Sequence, residues 1–307
     1  MSDAARLAFA TSEGYRALTA DDRLAVVELE RRGWLAEAAV WTDPHVAWKR
    51  YDGLVVRSCW DYHLAPDRFL SWLGAVEAGG TAVWNPPDLI RWNTDKRYLD
   101  DLARAGIGVV PTHRLSRTDA GRLDAFLDGI EWPEVVMKPA VSASAFRTRR
   151  VSLGRDGLAR ERGGRESPAR DRGNGDGARE AAAHILDHGD LLVQPFLPVV
   201  EREGEWSLVF FDGCYSHAVL KRPASGDFRV QGEWGGREQT AGPPVHVLEA
   251  AARAATTRGR ALYARVDGVV HEGVFLVMEL ELIEPVLFFA NEPAAPARFA
   301  DAIEKWR

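Results

Sequence analysis

The stretch VFLVMELELIEPVLFF, Val274–Phe289, sets three glutamates inside one of the most apolar parts of the chain. At strand period, Val274, Leu276, Met278, Leu280 and Leu282 form one wholly apolar face. Phe275, Val277, Glu279, Glu281 and Ile283 form the other. Glu279 and Glu281 then point the same way, about 7 Å apart along the strand. Unpaired carboxylates in apolar surroundings are costly, so a positive group must meet them, either a partner side chain or a bound cation.

Just upstream runs LYARVDGVVHEG, Leu262–Gly273, a second apolar strand whose HEG reads as the turn of a β-hairpin. A turn centred near Gly273 brings Asp267 opposite Glu279 and Arg265 opposite Glu281. Three carboxylates and one guanidinium leave excess negative charge on that patch. Hard oxygen donors of this kind suit Mg²⁺, which takes one or two carboxylates and completes its shell with phosphate and water. Two carboxylates on alternate strand residues can also bridge a metal pair about 4 Å apart. A solvated strand face with ion pairs is the other reading, and the apolar neighbours favour metal over it.

Lysines supply the complementary charge. Lys138 lies in the apolar VVMKPA, Lys221 ends the strand of SHAVLKRP, and Lys96 opens a helix in NTDKRYL. A single strand lysine is often an edge residue or a snorkelling chain. Three of them beside a carboxylate cluster suggest a polyphosphate held between cations and metal-bound acids. The Walker A and GxGxxG cradles are absent. AVSASAF, which contains Ser144, is either a phosphate-covering loop or a plain strand connection.

Length, 307 residues, allows two or three lobes with a large core. The formal charge of −6 argues against general nucleic-acid binding, and no apolar run approaches a membrane span. Two cysteines, Cys59 and Cys214, form neither a disulfide framework nor a zinc motif. No signal pattern opens the chain, so a cytoplasmic protein is expected. RLAFATS and GLVVRS read as strands, Asp21–Arg32 and Pro66–Glu77 as helices, which predicts a parallel α/β lobe. Trp84–Thr94, rich in Pro and Asn, reads as a connector, followed by a helix with Thr94 as N-cap and Gly106 at its end. Strands dominate thereafter, with helices near Ala178–Asp187 and Leu248–Arg260. The expected lobes are 1–90, 91–195 and 196–307. Gly154–Gly177 holds seven glycines, six arginines and five acids with Leu158 as its one large apolar residue, and reads as a disordered surface loop.

The order DKRYL, VVMKP, LLVQPFL, GEWSLVFFDG, VLKRP, ARVD, MELE resembles the ATP-grasp ligases, including D-alanine–D-alanine ligase and glutathione synthetase. The likeness covers roughly Asn93 to the C-terminus, with an α/β lobe before it in the usual place. Its most specific piece is ARVD with MELE, similar to the family's R-x-D and E-x-N pair. The fold implied is α/β: an N-terminal parallel α/β lobe, then two α+β lobes with ATP between them. By this resemblance Asp267, Glu279 and Glu281 bind Mg²⁺, as one or two ions with Mn²⁺ able to substitute. Arg265 stabilises the transferring phosphoryl group and the acyl intermediate. Lys138 and Lys221 touch ATP phosphates, and Lys96 is a further nucleotide contact. VQPFL, with Gln194, Phe196 and Leu197, resembles the hinge whose backbone meets adenine, and Glu205 the ribose-binding acid. Glu281 stands where many members have Asn, and Gln194 where a hinge Glu is common. VVRSCWDYH, WNPP and SHAVLKRPASGDFRVQ are most similar to the ATP-grasp enzymes related to cycloserine biosynthesis.

The activity so implied is an ATP-dependent carboxylate–amine ligase acting through an acyl phosphate, with small, amino-acid-like substrates and a homodimer as a candidate assembly. Arg57 is a candidate clamp for a substrate carboxylate and Asp61 for an amine, with a surface ion pair beside a packed Trp60 as the other reading. Arg222 and Arg229 are candidates for a phosphate or carboxylate. Cys59 reads as a small strand-end residue rather than a nucleophile, because acyl-phosphate chemistry needs no covalent protein intermediate. Two other classes remain open: an ATP-binding sensor or partner-binding protein without turnover, and a dehydrogenase on the first lobe, which lacks its glycine fingerprint.

Overall fold

The structure, a computed structural model, describes residues 4–154, 175–224 and 235–307. Its first sheet contains β1 (Arg6–Thr11), β2 (Leu35–Val40), β3 (Gly53–Val56) and β4 (Val83–Trp84), all parallel in the order β2-β1-β3-β4. Its helices are α1 (Ala20–Arg31), α2 (Pro66–Ala78), α3 (Pro87–Asn93) and α4 (Tyr98–Arg104). Thr19 caps α1 by accepting the Asp22 N–H at 3.0 Å, and Asp21 and Asp22 complement the helix dipole. The parallel α/β lobe is present as expected, with β2 as a further strand.

Two local expectations fail. The stretch Trp84–Thr94 is not a bare connector, because Pro87 begins α3 at a position where its missing N–H costs nothing. Thr94 closes α3 rather than opening the next helix: its hydroxyl donates to the Ile90 carbonyl at 2.8 Å.

The second sheet is antiparallel, ordered β5-β8-β6-β7: β5 (His113–Leu115), β6 (Glu134–Pro139), β7 (Arg149–Ser152) and β8 (Leu191–Pro195). It packs with α5 (Leu123–Asp128) and α6 (Gly175–Leu186) over a core containing Met137, Val151, Ala182, Ile185 and Val193, and α7 (Val199–Arg202) follows. The loop expected at 154–177 lies outside the described residues over 155–174, and its last three positions begin α6.

The third sheet runs β11-β10-β9-β12-β13, from β9 (Glu205–Phe211), β10 (Cys214–Arg222), β11 (Arg237–Thr240), β12 (Tyr263–His271) and β13 (Val274–Glu281). The predicted helix near Leu248–Arg260 is α8 (Val245–Thr256), and an unanticipated α9 (Ala295–Trp306) closes the chain. Phe211 stacks on Phe289, both meet Phe299 of α9 edge-on, and all three share one core with Phe9 of β1 and Leu29 of α1.

Two compact units result. Unit 1 joins Met1–Gly108, Glu205–Lys221 and Glu238–Arg307; unit 2 holds Val109–Gly204 and Arg222–Arg237. Unit 1 therefore carries the whole parallel sheet together with the β12–β13 hairpin.

Candidate active site

The hairpin places the acids by two compensating departures from a regular ladder. Glu272 and Gly273, with φ of 50° and 79°, make a two-residue turn that closes His271 on Val274. Regular pairing from that closure would set Asp267 against Met278. A bulge between Asp267 and Gly268 adds Met278 to β13, so Asp267 faces Glu279 and Arg265 faces Glu281. The expected pairing is thus present, reached by a shorter turn plus one extra residue. The expected apolar face is not. Phe275 and Val277 are buried before the bulge and Leu280 and Leu282 after it, whereas Val274 is 55% exposed and Leu276 and Met278 are half-buried. The inserted residue exchanges the two faces partway along the strand. Only glycine fits at 268, since a Cβ there would lie 2.4 Å from the Leu276 carbonyl oxygen and 2.6 Å from the Phe275 ring.

Oxygens of Asp267, Glu279 and Glu281 all lie within 4.8 Å of one another. Arg265 donates through Nε and Nη2 to Asp267 at 3.0 and 2.8 Å, and through Nη2 to Glu281. Ser207 donates its hydroxyl to Asp267. Lys221 pairs with Glu205 and reaches Asp267 at 3.5 Å, and Lys96 meets Glu279 at 2.9 Å. Burial would raise Asp267, but the charges of Arg265 and Lys221 overcome it and hold the carboxyl at about 2. Burial pushes Glu281 up to about 8 against the pull of Arg265, with the charges of Asp267 and Glu279 adding to the rise. Lys221 would be lowered by burial, yet Asp267 and Glu205 raise it. Burial also raises Glu205, and it raises Glu284 well above the carboxylate range, with Glu281 adding to it.

Burial and the neighbouring acids push Glu281 and Glu284 toward their protonated forms, and a divalent ion at the cluster would offset that repulsion. Three carboxylate oxygens in mutual range are hard donors of the kind Mg²⁺ takes. The residues present fit the metal.

The segment that leaves β13 is bolted in place by side chains. Asn93 Nδ2 donates to the Leu280 carbonyl and Asn85 Nδ2 to that of Leu282, both at 2.8 Å. Tyr263 Oη donates to Ile283 at 2.8 Å, Trp60 Nε1 to Glu284 at 2.9 Å and Arg57 Nη2 to Pro285 at 2.7 Å. Arg265 Nη1 donates to Val286 at 3.0 Å and His217 Nε2 to Leu287 at 2.9 Å. Buried carbonyls need donors, and here seven side chains supply them where a neighbouring strand would otherwise do so.

The remaining candidates separate into groups. Arg57, expected to clamp a substrate carboxylate, is turned inward at 2% exposure: Nε binds Asp22 at 3.0 Å and the guanidinium lies over the Tyr263 ring. Its partner comes from α1, thirty-five residues away, which sequence spacing could not reveal. Asp61 is half-buried and accepts the Trp41 indole N–H at 2.8 Å. Cys59 is fully buried with its thiol pushed well up by burial, as befits a packing residue. In unit 2, Lys138 is buried on β6, and Gln194 of β8 donates to Thr112 at 2.9 Å. Phe196 lies beneath the Arg150 guanidinium, Leu197 is buried, and Ser144 is exposed with φ of 49°. Arg222 is exposed at the end of β10, and Arg229 lies outside the described residues. Ser207 and Glu284 were not singled out from sequence. Ser207 follows Glu205 at strand period, and Glu284 is the third glutamate of the opening stretch.

A parallel α/β sheet followed by two antiparallel sheets is an architecture shared with ATP-grasp ligases of known structure. The family profile for the N-terminal domain of D-cycloserine synthetase DcsG matches residues 7–85. The cycloserine biosynthesis protein DcsG of Streptomyces lavendulae is 31% identical over 284 residues, covering 88% of each chain. A crystal structure of D-cycloserine synthetase DcsG superposes with a TM-score of 0.82 at 27% identity, over 98% of this chain and all of that one. D-alanine–D-alanine ligase from Bacillus anthracis complexed with ATP gives 0.65 at 15% identity, over 99% of this chain and 95% of the other, a likeness of fold. The chain belongs to the ATP-grasp ligase family that includes DcsG, and is an ATP-dependent ligase. Among the described residues no helix is long and apolar enough to cross a membrane.

Proposed function

We propose that the protein joins a carboxylate to an amine through an acyl phosphate, with release of ADP and phosphate. The observation that carries this reading is the mutual 4.8 Å range of Asp267, Glu279 and Glu281 on a hairpin that also carries Arg265. A site for nucleotide binding alone has no need of that arginine, which favours turnover over a sensor role. In this reading a substrate carboxylate attacks the γ-phosphorus of ATP, and an amine then displaces phosphate from the acyl carbon. Asp267, Glu279 and Glu281 would hold one or two Mg²⁺ ions, or Mn²⁺, whose charge offsets that of the phosphates. Arg265 and Lys221 meet negative charge that develops during transfer, which is where fixed cations lower a barrier most. Lys96, Lys138, Ser144, Gln194, Phe196, Leu197 and Glu205 are assigned to the nucleotide, and Asp61 and Arg222 to substrate.

The division into 1–90, 91–195 and 196–307 belongs to the same reading, each range holding one of the three sheets. Substrates are taken as small and amino-acid-like. The relatedness to a cycloserine biosynthesis protein favours acid and amine on one molecule, so that the bond closes a ring. ADP release measured across D- and L-amino acids and small amines tests this. Release that requires a carboxylate, and a product mass lower than that acid by one water, is the expected result for ring closure. ADP release indifferent to every added carboxylate would refute the ligase chemistry.

A further inference from the structure

β13 stands at the end of its sheet, so its outer edge meets no further strand among the described residues. Beside residues 279–282 that place is taken by side chains from residues 93–98, where α3 gives way to α4. Asn93 Nδ2 donates to the Leu280 carbonyl and Asn93 Oδ1 accepts the Leu282 N–H, both at 2.8 Å. Tyr98 Oη accepts the Leu280 N–H at 3.1 Å. Lys96, between them in sequence, meets the Glu279 carboxylate at 2.9 Å.

The residues so held are the neighbours of two acids. Leu280 and Leu282 flank Glu281, and Leu280 also adjoins Glu279. A carboxamide that donates to the residue before Glu281 and accepts from the residue after it makes the bonds of one residue in a parallel neighbouring strand. That takes a donor and an acceptor on one short planar group: an ionised Asp has no donor, and Leu has neither. β12 holds Glu281 from the inner edge, where it faces Arg265, and Asn93 holds it from the outer. Asn93 and Tyr98 are 6% and 2% exposed, and buried Leu89, Ile90, Leu99 and Leu102 anchor the helices on either side. Side chains of a strand stand out from its pleat, so holding the amides around Glu281 sets the direction of its carboxylate and that of Glu279.

We propose that Asn93, assisted by Tyr98, is a positioning residue for metal binding: it fixes the pleat of β13 so that Glu279 and Glu281 converge with Asp267 on a divalent ion. The inference rests on the reading of those three acids as metal ligands. Asn93 supplies no ligand atom and acts through the β13 backbone, on carboxylate oxygens that already lie within 4.8 Å of one another. Groups that orient a metal's ligands are worth about 10–100-fold in metal affinity. Losing such a group weakens the empty site most, because a bound ion itself draws the carboxylates together. The defect is therefore one of affinity, and enough metal repairs it.

Asn93→Leu, Asn93→Gln and Tyr98→Phe test this against plain packing. Each is melted beside wild type at one fixed ATP concentration across a MgCl₂ series, so that chelation by ATP itself is common to all. Asn93→Leu, which keeps the volume and loses both bonds, should need about 10–100-fold more Mg²⁺ for half of the ATP-induced rise in melting temperature. At saturating Mg²⁺ the full rise should return. Asn93→Gln, with both groups on a longer arm, should recover part of the midpoint. Tyr98→Phe, which loses one bond and keeps its ring, should move it less than leucine does. An Asn93→Leu protein that melts lower without metal yet keeps the wild-type Mg²⁺ midpoint would make Asn93 structural only and overturn the assignment. So would a rise that saturating Mg²⁺ does not restore. If Asn93→Leu is unfolded at the start of the melt, Tyr98→Phe decides, and an unmoved midpoint there overturns the proposal. Wild-type protein whose ATP-induced rise ignores Mg²⁺ overturns the metal site itself, and the role of Asn93 with it.

Discussion

Gly268→Ala is the sharpest probe of how the acids are placed. A Cβ at 268 would lie 2.4 Å from a backbone oxygen, Leu276 O, and 2.6 Å from the Phe275 ring. An ordinary carbon–oxygen contact is about 3.4 Å, so the strands must part by about 1 Å at this pair. The next pair along is Asp267 with Glu279, across the bulge. Opening there stretches a ligand set whose oxygens now lie within 4.8 Å of one another. Overpacking of this kind costs about 1–3 kcal/mol of stability, and a displacement of about 1 Å at a reacting centre costs about 10²-fold in rate. Thermal melts with and without Mg²⁺–ATP, followed by ADP release, read both effects. Because Met278 is the additional residue, deleting it regularises the ladder while keeping Asp267 opposite Glu279, and should restore part of what alanine removes. A folded Gly268→Ala protein with wild-type Mg²⁺–ATP stabilisation and turnover would refute the idea that the bulge sets the site.

Arg265→Ala strips the cation from buried Asp267 and from Glu281, a loss of about 3–5 kcal/mol for a broken buried pair; Mg²⁺ should return much of the melting temperature while turnover stays about 10²–10³-fold down, and an unchanged melt without metal would contradict the pairing. Iodoacetamide on the native protein should add one group, at exposed Cys214, and none at Cys59, whose thiol is buried and held protonated; intact-mass analysis showing native labelling of Cys59 would contradict its burial. His217 is lowered by burial, so near and below pH 6.5 the unfolded chain takes up a proton that the native one does not, and stability should fall as pH falls through that range. Urea midpoints from pH 8 to 5 should drop less steeply in His217→Gln than in wild type, and parallel curves would remove this histidine from the acid response.

Much of the site was legible because the chemistry sits on one hairpin. Arg265, Asp267, Glu279 and Glu281 fall at spacings that an antiparallel pairing centred on Gly273 brings together, and the structure pairs them so. What the spacing hid was the route: a two-residue turn and a bulge cancel in register but not in facing, so the apolar stripe changed sides midway. Positions whose meaning lies in a distant partner were opaque. Arg57 resembled a ligand clamp until Asp22 was found beside it, and Thr94 looked like a helix start because an N-cap and a back-bonded helix end use the same hydroxyl. Glu284 stood in the opening stretch itself, but period-two reading ends with the strand, three residues too soon. The lysines were visible as charges only; which acid each meets depends on sheet order, set by elements far apart in the chain.

The bolted segment after β13 bears on how such a chain can be recombined. Its carbonyls at Leu282, Glu284 and Pro285 take their donors from Asn85, Trp60 and Arg57, all within the first eighty-five residues. Exchanging those residues for a foreign lobe would leave three buried acceptors unmet, each at about 1–3 kcal/mol, directly beside the strand that carries Glu279 and Glu281. The N-terminal lobe is therefore not a cassette that can be traded for another substrate preference. Lobe and hairpin must be inherited together, because Asn85, Trp60 and Arg57 tether the one to the other.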